Sequence, residues 1–94
     1  MDDFPTELMK YRLTAHARDE MKRRQIPVEL LEMVVNRPQQ VIFEREGRKA
    51  YQSQLDFGSG KIRLLRLIVD DRFDPIIVIT LYRTSKINKY WRQL

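Results

Sequence analysis

Seven consecutive residues from Ile76 to Tyr82 (Ile-Ile-Val-Ile-Thr-Leu-Tyr) form the longest run of strong β-formers in the chain. Its length and β-branching suit a strand buried on both faces, around which the rest is expected to pack. Side chains alternate across a strand, so Thr80 and Tyr82 share one face while Ile77, Ile79 and Leu81 share the other. The apolar face is expected in the core, and the Thr80–Tyr82 face is left for chemistry.

Upstream, the apolar period is helical. Thr14 is placed as the N-cap of a helix from Ala15 to about Arg24, with Leu13, Ala17 and Met21 as its apolar stripe. Pro27 suits the first position of a second helix, in which Leu30, Leu31, Val34 and Val35 recur at helical spacing up to about Asn36. From Gln40 the period drops to two. Strands are expected at Val41 to Arg45, Lys49 to Phe57, Lys61 to Asp70 and Ile76 to Arg83. Glu46-Gly47, Gly58-Ser59-Gly60 and Asp70 to Pro75 are the turns, and connections this short make the neighbours antiparallel. Tyr11 to Leu13 can add a brief edge strand.

These elements predict an α+β domain: two N-terminal helices on one face of a four-stranded antiparallel meander. One domain is expected over residues 1–94, with a core at about 11–83 and flanking arms at 1–10 and 84–94. The first arm is a frayed segment or a short helical turn; the second holds Lys86, Lys89 and Arg92 and folds back through Tyr90 and Trp91. The Lys61 to Val69 strand admits two readings. A bulge near Leu64-Leu65 would bring Ile62, Leu64, Leu65, Leu67 and Val69 to the core and turn Arg63 and Arg66 outward beside Thr80 and Tyr82. Alternatively the strand is covered on both sides and Arg66 is paired inside.

Composition narrows the chemistry. With no cysteine the chain has no disulfide, thiolate nucleophile or cysteine-based metal site, which fits a reducing cytoplasm. No apolar stretch approaches a membrane span, and the acidic start lacks a signal peptide, so a soluble chain with no membrane partner is expected. Eighteen Lys and Arg against thirteen Asp and Glu give a net charge of +5, which favours acidic partners such as RNA or an acidic protein. No phosphate-cradling glycine loop, dinucleotide fingerprint or serine elbow is present.

His16 is the chain's only histidine, and imidazole is the one side chain that ordinarily titrates near neutrality. On its helix Glu20 and Arg23 follow on the same face, so a carboxylate could orient the ring and an arginine could bind an anion. The bland alternative is a partly exposed histidine beside an ordinary helix ion pair. No ligand spacing supports a metal, and no cofactor is expected.

Leu13-Thr14-x-His16-Ala17, Met21-x-x-Arg24-x-Ile26, the helix ending at Asn36-Arg37-Pro38 and the Val78-Ile79-Thr80-Leu81-Tyr82 strand resemble a bacterial and cyanobacterial family of domains of unknown function. That family's helix reads Thr-x-His-Ala-x-x-Arg-Met-x-x-Arg-Gly-Ile-Ser in outline and is usually placed near the RelE, ParE and BrnT toxin-like folds. The similarity covers about residues 11 to 83. Where the family often has arginine this chain has Glu20, and Gly-Ile-Ser becomes Gln25-Ile26-Pro27. The resemblance implies a toxin-like fold and, as function, the toxin of a toxin-antitoxin pair: a metal-independent ribonuclease acting on cytoplasmic RNA. In that reading His16 is base or acid, and Glu20 or Tyr82 makes the second proton transfer. Thr80 or Tyr82 positions the phosphate, with Arg23, Arg24, Arg63 and Arg66 as phosphate ligands. The alternative is a non-catalytic module of the same fold that holds RNA or an acidic antitoxin-like protein, and a homodimer through a sheet edge is a third.

Overall fold

Eight elements follow one another along residues 10–93, the part of the chain that the computed structural model describes. They are β1 (Tyr11–Leu13), α1 (Ala15–Arg23), α2 (Val28–Asn36), β2 (Gln40–Arg45), β3 (Arg48–Asp56), β4 (Ile62–Asp70), β5 (Ile76–Thr84) and α3 (Ile87–Tyr90). Apart from Lys10, the expected N-terminal arm lies outside the described residues.

Thr14 starts α1 as its side chain suggests. Its Oγ1 accepts a hydrogen bond from the Ala17 N–H at 3.0 Å, satisfying one of the donors that a helix start leaves open. The helix closes without a glycine. Gln25 takes the left-handed conformation at φ 54° and donates to the Lys22 carbonyl, while Ile26 N–H reaches back to the Met21 carbonyl. This paired closure is the one glycine usually serves, and Ile26 then packs into the core beside Met21. Pro27 caps α2 from just outside it, where its missing N–H costs nothing.

The α+β class holds, but the sheet is not a four-stranded antiparallel meander. Five strands lie in the order β1-β5-β4-β3-β2, and the first pair is parallel, with Tyr11, Arg12 and Leu13 opposite Ile76, Ile77 and Val78. The cause is that β5, joined to β4 alone by the hairpins, offers a free edge. The segment leading into α1 pairs with it, and the ladder continues through the bond from Thr14 N–H to the Val78 carbonyl. The middle strand is therefore β4, with β5 beside it.

One face of the sheet is covered by α1 and α2. Ala17, Ile26, Leu31, Val34 and Val35 pack there against Tyr51, Leu65, Leu67, Val69, Ile76, Val78 and Leu81, all buried. Pairing of β4 with β3 is continuous from Ile62 to Val69, so the bulge expected near Leu64-Leu65 is absent. The irregularity sits across the ladder instead: Val69 pairs with Val78 and Ile68 with Thr80, leaving Ile79 as the extra residue of β5. Because a single extra residue reverses the alternation, Ile76 and Val78 share the core with Leu81, while Ile77 and Ile79 stay only half-buried. The expectation that Ile77 and Ile79 join Leu81 in the core is corrected accordingly.

The second face is partly covered by the tail, which forms the one-turn helix α3 where a folded-back segment is expected. Leu64 is fully buried although it points away from the α1–α2 side, so β4 is enclosed on both faces. Leu81→Ala should lower stability by roughly 2–5 kcal/mol in urea unfolding, and Ile77→Ala by about 1 kcal/mol or less. Equal losses would put the bulge elsewhere.

Candidate functional site

Chemistry collects on the second face, around the β5 bulge. Thr14 Oγ1 donates to the Ile79 carbonyl at 2.7 Å while capping α1, so the first turn of the helix is held against the bulged residue. His16 sits in that turn. Its Nε2 lies 3.0 Å from Thr80 Oγ1, across 64 residues of sequence, and the ring is exposed. The helix motif and the Thr80 face thus meet in space.

Two residues along the strand, on the same face, stands Tyr82, which pairs across the ladder with Arg66. Arg66 is 4% exposed. Its Nε donates to Gln52 Oε1 at 2.8 Å, one Nη to the Tyr82 hydroxyl at 2.6 Å and the other to Glu44 Oε2 at 2.9 Å. The Tyr90 ring of α3 covers the guanidinium, with the central carbon 4.3 Å from the ring centroid. The tail is fastened over it: Gln52 donates to the Tyr90 carbonyl, Gln40 to the Arg92 carbonyl, and Arg92 N–H back to Gln40. Of the two open readings, the structure therefore holds the one with Arg66 paired inside. Burial raises the Tyr82 phenol above the ordinary tyrosine value against the opposing pull of Arg66. Tyr90 is held below it, first by the hydrogen bond with Tyr82.

The remaining candidates lie apart from this group. Glu20 does not bond His16: its carboxylate accepts from Arg23 at 2.7 Å and from Arg24 at 2.6 Å, and these bonds hold it down at about pH 2. Arg23 and Arg24 are thereby committed to a carboxylate on their own helix. Arg63, three residues before Arg66, points to the opposite face and lines a separate pocket with Arg83, rather than standing beside Thr80 and Tyr82. No group of three or more His, Cys, Asp or Glu side chains that could hold a metal ion occurs among the described residues. Among the same residues no helix is long and apolar enough to cross a membrane.

Glu44, Gln52 and Tyr90 complete the site and were not anticipated. Gln52 was within reach of inspection, as a polar residue in the middle of a strand otherwise fit for burial. Glu44 was not, because it is the extra residue of a second bulge, between Phe43 and Arg45.

A family model described as a domain of unknown function, DUF4258, matches residues 13–83, which spans α1 through most of β5. Comparison with curated proteins gave no match, nor did comparison with solved structures.

Two outcomes follow from these bonds. Arg66→Ala should destabilise by roughly 2–4 kcal/mol in urea unfolding, because it strands Gln52 and Tyr82 without their partner; a loss under about 0.5 kcal/mol would mean that the cluster is not structural. The Glu20 carboxyl is depressed in the folded chain, so its contribution is complete above its unfolded value near 4.5 and is lost as pH falls toward about 2. Glu20→Gln should flatten the acid limb of a stability profile over that window, and an unchanged limb would place the acid sensitivity elsewhere.

Proposed function

The chain belongs to the DUF4258 family, a domain of unknown function, and from the geometry of its second face we propose that it acts on RNA as a metal-independent endoribonuclease, in the manner of a toxin of a toxin-antitoxin pair. The observation that carries this reading is the meeting of His16 with Thr80 and, one alternation further on, Tyr82 on a single face of β5. Cleavage of this kind needs a base to take the 2′-hydroxyl proton, a donor to the phosphorane, and an acid to protonate the departing 5′-oxygen. As 2′-oxygen attacks phosphorus, the bond from phosphorus to the 5′-oxygen breaks, leaving a 2′,3′-cyclic phosphate and a free 5′-hydroxyl. His16, exposed and hydrogen-bonded through Nε2, is the base or the acid. Glu20, ionised and shared by two arginines, is no partner for it. The second proton falls to Tyr82, whose raised pKa keeps the phenol protonated and able to donate. Thr80 positions the reacting oxygen.

A specific observation favours the second reading, a non-catalytic module of the same toxin-like fold that holds RNA or an acidic antitoxin-like protein. Arg66, the cation nearest Tyr82 in the ladder, is buried and neutralised by Glu44, which leaves a catalytic phosphate without that ligand while the tail is in place.

Incubation of single-stranded RNA with the purified protein in a chelator separates the two. The nuclease reading expects cyclic-phosphate products, a rate that changes across the range where imidazole ordinarily titrates, and a drop of roughly 100-fold or more in His16→Ala with the circular dichroism spectrum retained. A rate rising with pH assigns His16 as base, and a falling one as acid. Binding without cleavage, or cleavage at the wild-type rate in His16→Ala, would leave the binding module.

A further inference from the structure

On the opposite face from His16, at the open end of the β3–β4 hairpin, Phe57, Gly58, Ser59, Lys61, Arg63 and Arg83 enclose a pocket of about 200 Å³. Three of these six are cations. Elsewhere the arginines and lysines that converge on a neighbour do so on a carboxylate: Arg23 and Arg24 on Glu20, Lys49 on Asp71, Arg66 on Glu44 and Arg72 on Asp70. Lys61, Arg63 and Arg83 converge on each other instead, and none of them pairs with a carboxylate among the described residues. Asp56, the acid nearest in sequence, turns its carboxylate back to the Gly58 N–H at 2.7 Å.

Like charges around one small cavity repel, and the repulsion is relieved by an anion placed between them. Arg83 is already oriented for one, since its guanidinium stacks on the Phe57 ring with 5.0 Å from the central carbon to the centroid. Phe57 in turn packs against the core. Stacking in this way fixes the planar fork with its N–H edge free, so little rotamer freedom remains to be lost on binding. Arg63 has no strong partner, its only side-chain contact being a 3.5 Å approach to the Ile62 carbonyl. Two forks and an ammonium around a cavity of this size match the tetrahedral oxygens of a phosphoryl group better than a single planar carboxylate.

We infer that this pocket is a phosphate-binding site, for the phosphodiester backbone of a polynucleotide or for a free phosphate compound. The polynucleotide source rests on the RNA reading above; the phosphoryl chemistry does not. If RNA is the ligand, the pocket is an anchoring subsite that does not touch the reacting atoms, because alternation along β4 and β5 sets Arg63 and Arg83 on the face away from Arg66 and Tyr82.

The test is a titration of the full chain, followed by the Nε–H resonances of its arginines, with inorganic pyrophosphate and separately with a 2′-O-methylated oligonucleotide that cannot be cleaved. Arg63 and Arg83 should shift together with pyrophosphate, and the shifts should vanish in Arg63→Gln/Arg83→Gln and persist in His16→Ala. With the oligonucleotide the same double substitution should reduce the slope of log affinity against log salt by about 1.4, the value expected for two lost contacts to a single strand. Lys61→Gln, at an exposed position, should weaken the pyrophosphate response on its own and covers the case in which the double variant does not fold. Response to pyrophosphate without response to the oligonucleotide upholds the phosphate site with a free compound as its ligand and removes the RNA reading. Shifts spread evenly over the surface arginines, or unaltered by these substitutions, overturn the site whether or not RNA is cleaved.

Discussion

Thr14 ties the two halves of the molecule together. Its hydroxyl accepts from the Ala17 N–H and donates to the Ile79 carbonyl, and its own N–H donates to the Val78 carbonyl. A single residue therefore ends β1, caps α1 and holds both to β5 at the bulge. An N-cap of this kind is ordinarily worth about 1 kcal/mol to its helix. Here it also sets the helix's rotation, because two bonds to consecutive carbonyls of one strand leave the first turn a single orientation. His16 reaches Thr80 for that reason, and without the extra residue at Ile79 the Thr80 and Tyr82 side chains would fall on the core side of the strand.

Much of this was legible before the structure. Period and turn chemistry located both helices and the four long strands within a residue or two, and Thr14 announced the start of α1. Face assignment was where legibility ended. A strand with apolar residues on both sides, such as Ile62-Arg63-Leu64-Leu65-Arg66-Leu67, can be made to fit one core by a bulge or two cores by none, and the sequence satisfies both. The deciding element is the tail, since α3 supplies cover for Leu64 and Arg66 yet is four residues long and shows no apolar stripe of its own. Parallel pairing of β1 was equally hidden, because three residues carry no period and their partner lies 65 positions away. His16 was recognisable as a candidate from its uniqueness alone, whereas its true neighbour, Thr80 rather than Glu20, depends on the bulge.

Arg66 is the converse case, a charge that the fold encloses. Removing a guanidinium from water costs several kcal/mol unless its donors are met, and here they are met by one group from each surrounding element: Glu44 of β2, Gln52 of β3, Tyr82 of β5 and the ring of Tyr90 on α3. Such an arrangement adds little net stability over a well-packed apolar residue. It is sensitive to register, though, because a slip of one residue in any of the three strands would turn that strand's contribution to the other face. The bulge that aims Glu44 across β3 is part of the same requirement.

How His16 and Thr80 share a proton bears directly on what the site can do. If Nε2 carries the proton it donates to Thr80, and that nitrogen is an acid; if not, the Thr80 hydroxyl donates to it and the nitrogen is a base already occupied by an alcohol. In the second case the threonine hydroxyl presents to the imidazole the same group that a ribose 2′-hydroxyl would, an aliphatic O–H at hydrogen-bond distance. A substrate would then exchange one alcohol for another at Nε2, with no loss of hydrogen bonds at the ring, and the displaced Thr80 hydroxyl would be free to bond a phosphate oxygen beside it. The contact that makes the site visible in the absence of RNA is, on this reasoning, the one that RNA would replace.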